Sequence, residues 1–303
     1  MNSELRSFLN KNNINYKKIT LKNSARIIDT DTERYVIKNH NNSLKKTYRY
    51  LNSRSFDYYP KLLIETDNYN IFEYIDSIDI EVEEKAKDIM HLVGLLHAKT
   101  SYYKEIDIDN YKELYENVIS KLNYLNNYYL DIMGVIDKEI YMAPSHYLLA
   151  RNINLVFSSL DKSHNLIDKW YKIINKKKKI RLVTIHNNLN IDNYLRNDKG
   201  YLLSWEKSKI DMPIYDILPF YKKYALIFPF DNLLSYYENV YPLLEEEKLL
   251  LLSLMLIPNK LEFDKREFLM CQEIRRELDY LYKTLELLDK YIKLPPPKNS
   301  TTY

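Results

Sequence analysis

The apolar pattern of the chain changes character once, near residue 76, and this change limits the folds that it can adopt. Short β-branched and aromatic runs, typical of strands, occupy residues 14–22, 24–29, 34–38, 62–64 and 69–75. One helix, capped by Ser43 and running to about Ser53, is expected among them. The first part of the chain therefore predicts an antiparallel sheet of five strands with a single helix.

Beyond residue 80 the periodicity becomes helical. Helical segments are expected at 84–102, 110–132, 146–157, 161–176, 216–226, 231–240, 243–257 and 264–292, with short strands only at 181–184 and 201–203. The last segment carries a heptad-like stripe, which favours packing within the protein and leaves a coiled-coil dimer as an alternative. We expect an α+β protein with a sheet lobe at 1–76, a helical lobe at 77–293 and a disordered tail at 294–303.

The most specific motif lies in a catalytic-type loop at 183–216. Residues 186–193 read H-N-N-L-N-I-D-N, residues 204–206 read S-W-E, and residues 211–216 read D-M-P-I-Y-D. This segment resembles that of the aminoglycoside and choline phosphotransferases, H-G-D-x-x-x-x-N followed by I-D-W-E and G-D-P-x-x-D. The resemblance implies a two-lobed protein-kinase-like fold. Within that superfamily, L-L-H-A-K-T at 95–100 and A-P-S-H-Y-L-L at 143–149 look most like spore coat proteins of the CotS type.

Two positions that carry the chemistry of the motif are changed. Asn188 stands where the resemblance places the catalytic Asp, and Ser204 stands where it places the metal-binding Asp. Phosphoryl transfer needs a carboxylate to orient the acceptor hydroxyl and Mg²⁺ to neutralise charge on the phosphates. An amide cannot take the proton of an alcohol, and a neutral hydroxyl is a poor ligand for Mg²⁺. These substitutions predict a loss of phosphoryl transfer.

Other acids could compensate for these losses. Asn193 stands at the position of a second metal ligand, and Asp192 and Glu206 lie close to it in sequence. If the geometry of the loop is kept, Asp192 is expected to point away from Asn193. An active enzyme with displaced acids therefore remains an alternative.

The structural part of the motif is intact. The resemblance implies that His186 packs beneath the loop, that Trp205 lies in the core and that Asp216 tethers the backbone of the loop. Glu206 and Asp211 complete the match. The retention of these residues favours a scaffold derived from an enzyme.

Nucleotide-binding positions are suggested by two strands. Y-V-I-K at 35–38 resembles the V-A-I-K strand, which makes Lys38 a candidate for holding phosphates, with a surface lysine as the alternative. Glu73, Tyr74 and Ile75 resemble the hinge that would face a base. The chain has three glycines and so no Gly-rich phosphate loop. The helix after Lys38 offers Lys45-Lys46-Thr47 where an acid is expected, which predicts that Lys38 lacks its usual ion-pair partner from this helix.

Composition narrows the class of protein. The formal net charge is +3, which gives no support to nucleic-acid binding. Cys271 is the single cysteine, so a reducing compartment is expected. The longest apolar run, Leu249–Ile257, is far shorter than the about 20 residues needed to cross a bilayer, so no membrane insertion is expected. The sequence predicts a cytoplasmic protein, with deposition on a spore surface as a second location.

Taken together, these observations favour a non-catalytic kinase-like scaffold without a cofactor, with other proteins of a coat or complex as its partners. The alternative is an ATP- and Mg²⁺-dependent phosphotransferase that acts on an alcohol group of a small molecule.

Overall fold

The computed structural model describes residues 16–22, 25–41 and 43–293. The chain divides into two compact units that are discontinuous in sequence. The first holds the described residues up to Leu92 together with His186–Lys209, and the second holds Val93–Ile185 and resumes at Ile210. The predicted tail at 294–303 lies outside the described residues, and the lobe limits 1–76 and 77–293 stay predictions.

The first unit contains the predicted five-stranded sheet. Its strands are β1 (Lys18–Lys22), β2 (Ala25–Asp29), β3 (Arg34–Asn39), β4 (Leu62–Glu65) and β5 (Tyr69–Glu73), and α1 (Leu44–Ser53) follows β3. The strand order is β1-β2-β3-β5-β4, and every pairing is antiparallel. Ile28, Ile37, Tyr69 and Ile71 are buried together. Residues 14, 15 and 24 of the predicted strands lie outside the described residues.

The expected hydrogen bond from the Ser43 side chain to the first turn of α1 is not made. Ser43 stands at the N-cap position, but its side chain caps no helix N–H. Its Oγ donates instead to Asn41 Oδ1 at 2.7 Å. The backbone of Ser43 is already helical, with φ −84° and ψ −22°, whereas an N-cap hydroxyl usually requires an extended backbone.

Long helices make up most of the second unit. α2 (Val82–Thr100) crosses the limit between the two units. The remaining helices are α3 (Ile108–Ile136), α4 (Pro144–Ile174), α5 (Ile214–Tyr224), α6 (Phe230–Glu238), α7 (Glu245–Met255) and α8 (Glu267–Lys293). The segments predicted separately at 146–157 and 161–176 form the single helix α4, so the predicted break is wrong. No helix among the described residues is both long enough and apolar enough to cross a membrane.

The apolar stripe of α8 packs within its own unit. α8 lies against α4, and Ile274 and Leu281 are completely buried. The stripe is therefore used in the core of the unit, as the favoured interpretation predicted.

Short strands complete the fold, and the sequence pattern missed three of them. The missed strands are β6 (Tyr102–Glu105), β8 (Tyr194–Arg196) and β10 (Lys209–Asp211), whereas β7 (Lys179–Ile185) and β9 (Gly200–Leu202) match the expected strands. The sheet order is β10-β7-β6, and β8 pairs with β9. Three or four residues are too few to show an alternating pattern.

Gly200, at the start of β9, gives a stability prediction. A Cβ at this position would lie 2.8 Å from both Leu92 Cδ1 and Tyr194 Oη. We expect Gly200→Ala to lower the free energy of unfolding by about 1–3 kcal/mol, the usual cost of overpacking. Gly134, in α3, is the matched control because a Cβ there meets nothing within 4 Å. Gly134→Ala should stabilise the protein by about 0.5–1 kcal/mol. Equal effects in urea unfolding would contradict the packing argument.

Candidate functional site

The first unit contains an open cavity of about 180 Å³. Seven residues predicted from the sequence line it: Lys38, Glu73, Tyr74, Ile75, Asn193, Ser204 and Glu206. The remaining lining residues are Ala25, Ile27, Val36, Tyr48, Pro60, Phe72, Ser77, Asp192, Leu195 and Leu203. The sheet and the loop at 186–206 therefore bring these seven residues together, whereas Asn188, the predicted catalytic position, is not among the described lining residues.

The register of the sheet places the apolar floor of the cavity. Val36 is paired with Ile27 on one side and with Phe72 on the other. Directly paired residues lie on the same face of a sheet. Lys38 follows Val36 by two residues and shares its face. The alternating pattern of β3 therefore sets one ammonium group beside a continuous apolar surface.

Lys38 is held by two residues of the loop. Its Nζ donates to Ser204 Oγ and to Glu206 Oε1, both at 2.9 Å. The Lys38 side chain is 19% exposed and that of Glu206 is 31% exposed. Lys38 therefore has an acidic partner, but Glu206 of the loop supplies it and not the helix α1, where the usual partner was sought. Lys45, on α1, pairs with Glu65 instead.

Loop residues 186–193 are fixed by their own hydrogen bonds. Asn193 Nδ2 donates to the carbonyl oxygen of Asn188 at 3.0 Å. The 3₁₀ turn Ile191–Asn193 begins at Asn190, whose side chain accepts from the backbone N–H of Asp192. His186 Nε2 lies 2.9 Å from the carbonyl oxygen of Leu203, so this ring nitrogen carries the proton. His186 is buried and hydrogen-bonded, and its place beneath the loop stays a prediction.

Asn188 and Ser204 have uncharged side chains that make hydrogen bonds within the first unit. Asn188 Nδ2 lies 3.4 Å from the carbonyl oxygen of Ser204, at the long limit of a hydrogen bond. Ser204 has a left-handed backbone, with φ 65° and ψ 57°. Serine adopts this conformation at an energetic cost, and such strain concentrates at functional sites. Position 204 therefore combines a strained, left-handed backbone with an uncharged hydroxyl side chain.

Trp205 anchors the loop in the core of the first unit. Its side chain is 1% exposed, and its Nε1 donates to the carbonyl oxygen of Leu202 at 2.8 Å. The rings of Phe56, Tyr59 and His186 contact it edge-on, with centroid distances of 5.9, 6.2 and 4.6 Å. The predicted core position of Trp205 agrees with this packing.

Tyr48 of α1 also lines the cavity, which the sequence did not indicate. Its ring stacks on Tyr59 with a centroid distance of 4.1 Å. Burial raises the pKa of the Tyr48 phenol well above its ordinary value, and the charge of Glu206 adds to this shift. The phenol therefore stays neutral. Tyr48 shares the buried face of α1 with Leu44 and Leu51. Nothing in the local sequence separates this cavity residue from a core residue.

Asp211 and Asp216 belong to the second unit. Asp211 Oδ1 accepts from the backbone N–H of Met212 at 2.8 Å. Asp216 Oδ2 lies 3.2 Å from His97 Nε2, and His97 Nδ1 lies 2.7 Å from the hydroxyl of Tyr237. The carboxylate of Asp216 can only accept, so His97 Nε2 carries a proton, and burial raises the pKa of Tyr237 well above its ordinary value, so its phenol also keeps its proton. The tethering of the loop by Asp216 stays a prediction.

No group of three or more His, Cys, Asp or Glu side chains is arranged to hold a metal ion among the residues that the structure describes. Asn193 and Ser204, the predicted metal positions, both line the cavity and supply an amide and a hydroxyl oxygen. Glu73, Asp192 and Glu206 supply the carboxylates that line it. The absence of metal binding remains a prediction.

No family model and no curated protein matches this chain. Solved structures do. An aminoglycoside phosphotransferase from Alicyclobacillus acidocaldarius matches with a TM-score of 0.66 and 10% identity, covering 92% of this chain and 93% of its own. The AMP-bound spectinomycin phosphotransferase matches with a TM-score of 0.50 and 11% identity, covering 95% of each chain. A choline kinase from Cryptosporidium parvum has a TM-score of 0.50 and 15% identity, covering 96% and 98%.

These matches define the class of fold. The chain has the protein-kinase-like fold of the aminoglycoside phosphotransferases and choline kinases. At these identities the likeness concerns the fold alone. The closer resemblance to spore coat proteins of the CotS type stays a prediction.

Proposed function

We propose that this chain is a kinase-like protein that does not transfer phosphate and that acts as a scaffold or interaction protein. One observation carries the proposal. Ser204, at the expected metal position, accepts a hydrogen bond from Lys38, whose charge is met by Glu206. Lys38 is thereby held by two residues of the protein. One of them, Ser204, stands where a phosphotransferase would need a carboxylate to bind its metal ion. Asn188 offers no base beside it.

The partners and the location follow from the resemblance alone. As a scaffold, the protein would act among other proteins of a coat or complex, in the cytoplasm or on a spore surface. Immunodetection in fractionated cells and purified spores tests the location. Signal confined to the soluble fraction of growing cells would remove the coat part of the proposal and leave the non-catalytic part standing.

A second candidate is an active phosphotransferase with displaced acids, and a specific observation favours it. Asp192 and Glu206 both line the cavity that contains Lys38. With ATP and Mg²⁺, these carboxylates would have to supply the metal ligand and the base for an alcohol substrate. Glu206 would then have to give up its ion pair with Lys38.

The experiment is a turnover assay of the full chain with ATP, Mg²⁺ or Mn²⁺ and a panel of amino-alcohols and sugars. We expect phosphate transfer and ATP hydrolysis no faster than in buffer. Asp192→Ala and Glu206→Ala are measured in parallel. Turnover that is robust in the unchanged protein and disappears in either variant would overturn the scaffold proposal and establish the second candidate.

A further inference from the structure

An open cleft of about 590 Å³ lies within the second unit. It is formed by the end of α5 and the turn after it, the loop between α7 and α8, and α8 itself. Ile257, Leu261 and Tyr280 supply a buried apolar part of its lining. Its volume falls in the range of about 300–1,000 Å³ that is usual for small-molecule sites. This α5–α8 cleft shares no lining residue with the cavity that contains Lys38.

Positive charge dominates the lining of the α5–α8 cleft. Its three carboxylates belong to Glu262, Glu273 and Glu277. Its five cations are Lys222, Lys223, Lys260, Lys265 and Arg276. Lysine is favoured in the last turn of a helix, where it meets the negative end of the dipole, and this accounts for Lys222 and Lys223 in α5. It does not account for the cations of the loop and of α8.

Two of the carboxylates already have a lysine partner. Lys265 forms an ion pair with Glu273. Lys260 Nζ lies 3.9 Å from Glu262 Oε1, near the outer limit of such a pair. These four side chains therefore add little net charge to the cleft.

The third carboxylate, that of Glu277, is used to hold the loop. Glu277 is buried, and its two oxygens accept from the backbone N–H and the side-chain amide of Asn259, at 2.7 and 2.8 Å. Burial raises the pKa of Glu277 even though these hydrogen bonds act in the opposite direction. The protein therefore disfavours the one negative charge of the cleft that has no lysine partner.

Lys222 and Arg276 are cations of the cleft without a partner of this kind. Within the described part of the chain, neither forms a hydrogen bond or an ion pair, although both attract the charge of Glu277. The side chain of Lys222 reaches solvent, yet partial burial lowers its pKa and the charge of Lys121 on α3 lowers it further. A bound anion would offset the repulsion between these two lysines.

We propose that the α5–α8 cleft binds a compact polyanion, a molecule with two or more phosphate or carboxylate groups, and that Lys222 and Arg276 are its principal contacts. A guanidinium group pairs with either kind of anion through two parallel hydrogen bonds, and an ammonium group adds a point charge. The apolar lining suits the uncharged part of an organic polyanion. This site goes beyond the proposed function and holds whether or not the chain transfers phosphate.

The test is calorimetry of the full chain with inorganic tripolyphosphate and with citrate, which separate phosphate from carboxylate chemistry. We expect binding of at least one of them in low salt, and a weaker affinity as salt screens the exposed cations. Arg276→Gln and Lys222→Gln should each weaken binding by about tenfold, the worth of a hydrogen bond to a charged group. Arg275→Gln is the matched control, because Arg275 is an exposed arginine of the same helix that does not line the cleft. Its affinity should stay within about twofold of the unchanged protein.

Lys38→Met locates the site, because Lys38 is the cation of the cavity in the first unit. Binding that is unchanged in this variant supports the α5–α8 cleft, whereas binding that is lost only in this variant overturns the proposal. Equal losses in Arg275→Gln and Arg276→Gln would also overturn it, since they would show a general attraction of anions to the surface. So would the absence of binding of both probes in low salt. The substituted side chains of α5 and α8 are exposed, so these variants should fold.

Discussion

Replacement of Trp205 by alanine is expected to lower the free energy of unfolding by about 3–5 kcal/mol, the range for large aromatic side chains removed from a core. The side chain is 1% exposed and contacts three rings. It also supplies the Nε1–H that satisfies the carbonyl oxygen of Leu202. Urea unfolding measures the change. Trp205 stands between Ser204 and Glu206 in the sequence. Its loss should therefore weaken the two hydrogen bonds that Lys38 donates to these residues.

Trp205→Phe is the matched control for this experiment. It keeps an aromatic ring for the edge-on contacts and removes the hydrogen bond to Leu202. We expect it to cost less than half as much as the alanine variant, because most of the buried surface is kept. An alanine variant within about 0.5 kcal/mol of the unchanged protein, the usual effect of a surface substitution, would show that Trp205 is not a core residue.

Much of the fold could be predicted because apolar residues recur with a different period in strands and in helices. Paired strands such as β2 and β3 alternate, and the long helices repeat their apolar residues at helical spacing. The predicted break in α4 was wrong for a physical reason. The predicted break falls at residues 158–160, where Ser159 Oγ donates to the carbonyl oxygen of Leu256, and Ser163 Oγ donates to that of Ser253 one turn later. Both serines are buried within a continuous helix, and local sequence does not reveal these long-range partners.

Seven residues of the candidate site could be predicted, but the pairing of Lys38 with Glu206 could not. The motif named Lys38, Asn193, Ser204 and Glu206, and all four line one cavity. The partner of Lys38 was sought on α1 because an acid is expected there. Glu206 fills the role instead, from a position 168 residues further along the chain. Such a long-range ion pair has no local pattern, so only the folded chain reveals it.

The ion pair also changes how Glu206 is understood. The sequence presented it both as part of a structural motif and as a replacement for the lost acids. In the structure its carboxylate is already engaged with Lys38. A carboxylate that neutralises a lysine is less available to a metal ion, because both cations compete for the same oxygens. In the structure, Glu206 is the ion-pair partner of Lys38.

The double change Asn188→Asp with Ser204→Asp is expected to create Mg²⁺-dependent ATP hydrolysis that neither single change creates. A general base contributes about 10²–10⁴ to a rate, and the metal anchor must be present for the phosphates to be held. Aspartate tolerates the left-handed backbone of position 204, where φ is 65°. A carboxylate there would also compete with Glu206 for Lys38, since Ser204 Oγ lies 2.9 Å from its Nζ.

Single-turnover assays with ATP and Mg²⁺ measure the effect, and each single variant should stay near background because the two groups act as a unit. The double variant should exceed the unchanged protein by at least about 10²-fold. Asn188→Asp with Ser204→Asn is the matched control, because it places an amide of the same shape at position 204 without the charge. Equal turnover in the two double variants would show that a carboxylate at position 204 is not the missing group. A folded double variant that binds Mg²⁺ and ATP without turnover would show that the loss of chemistry extends beyond Asn188 and Ser204.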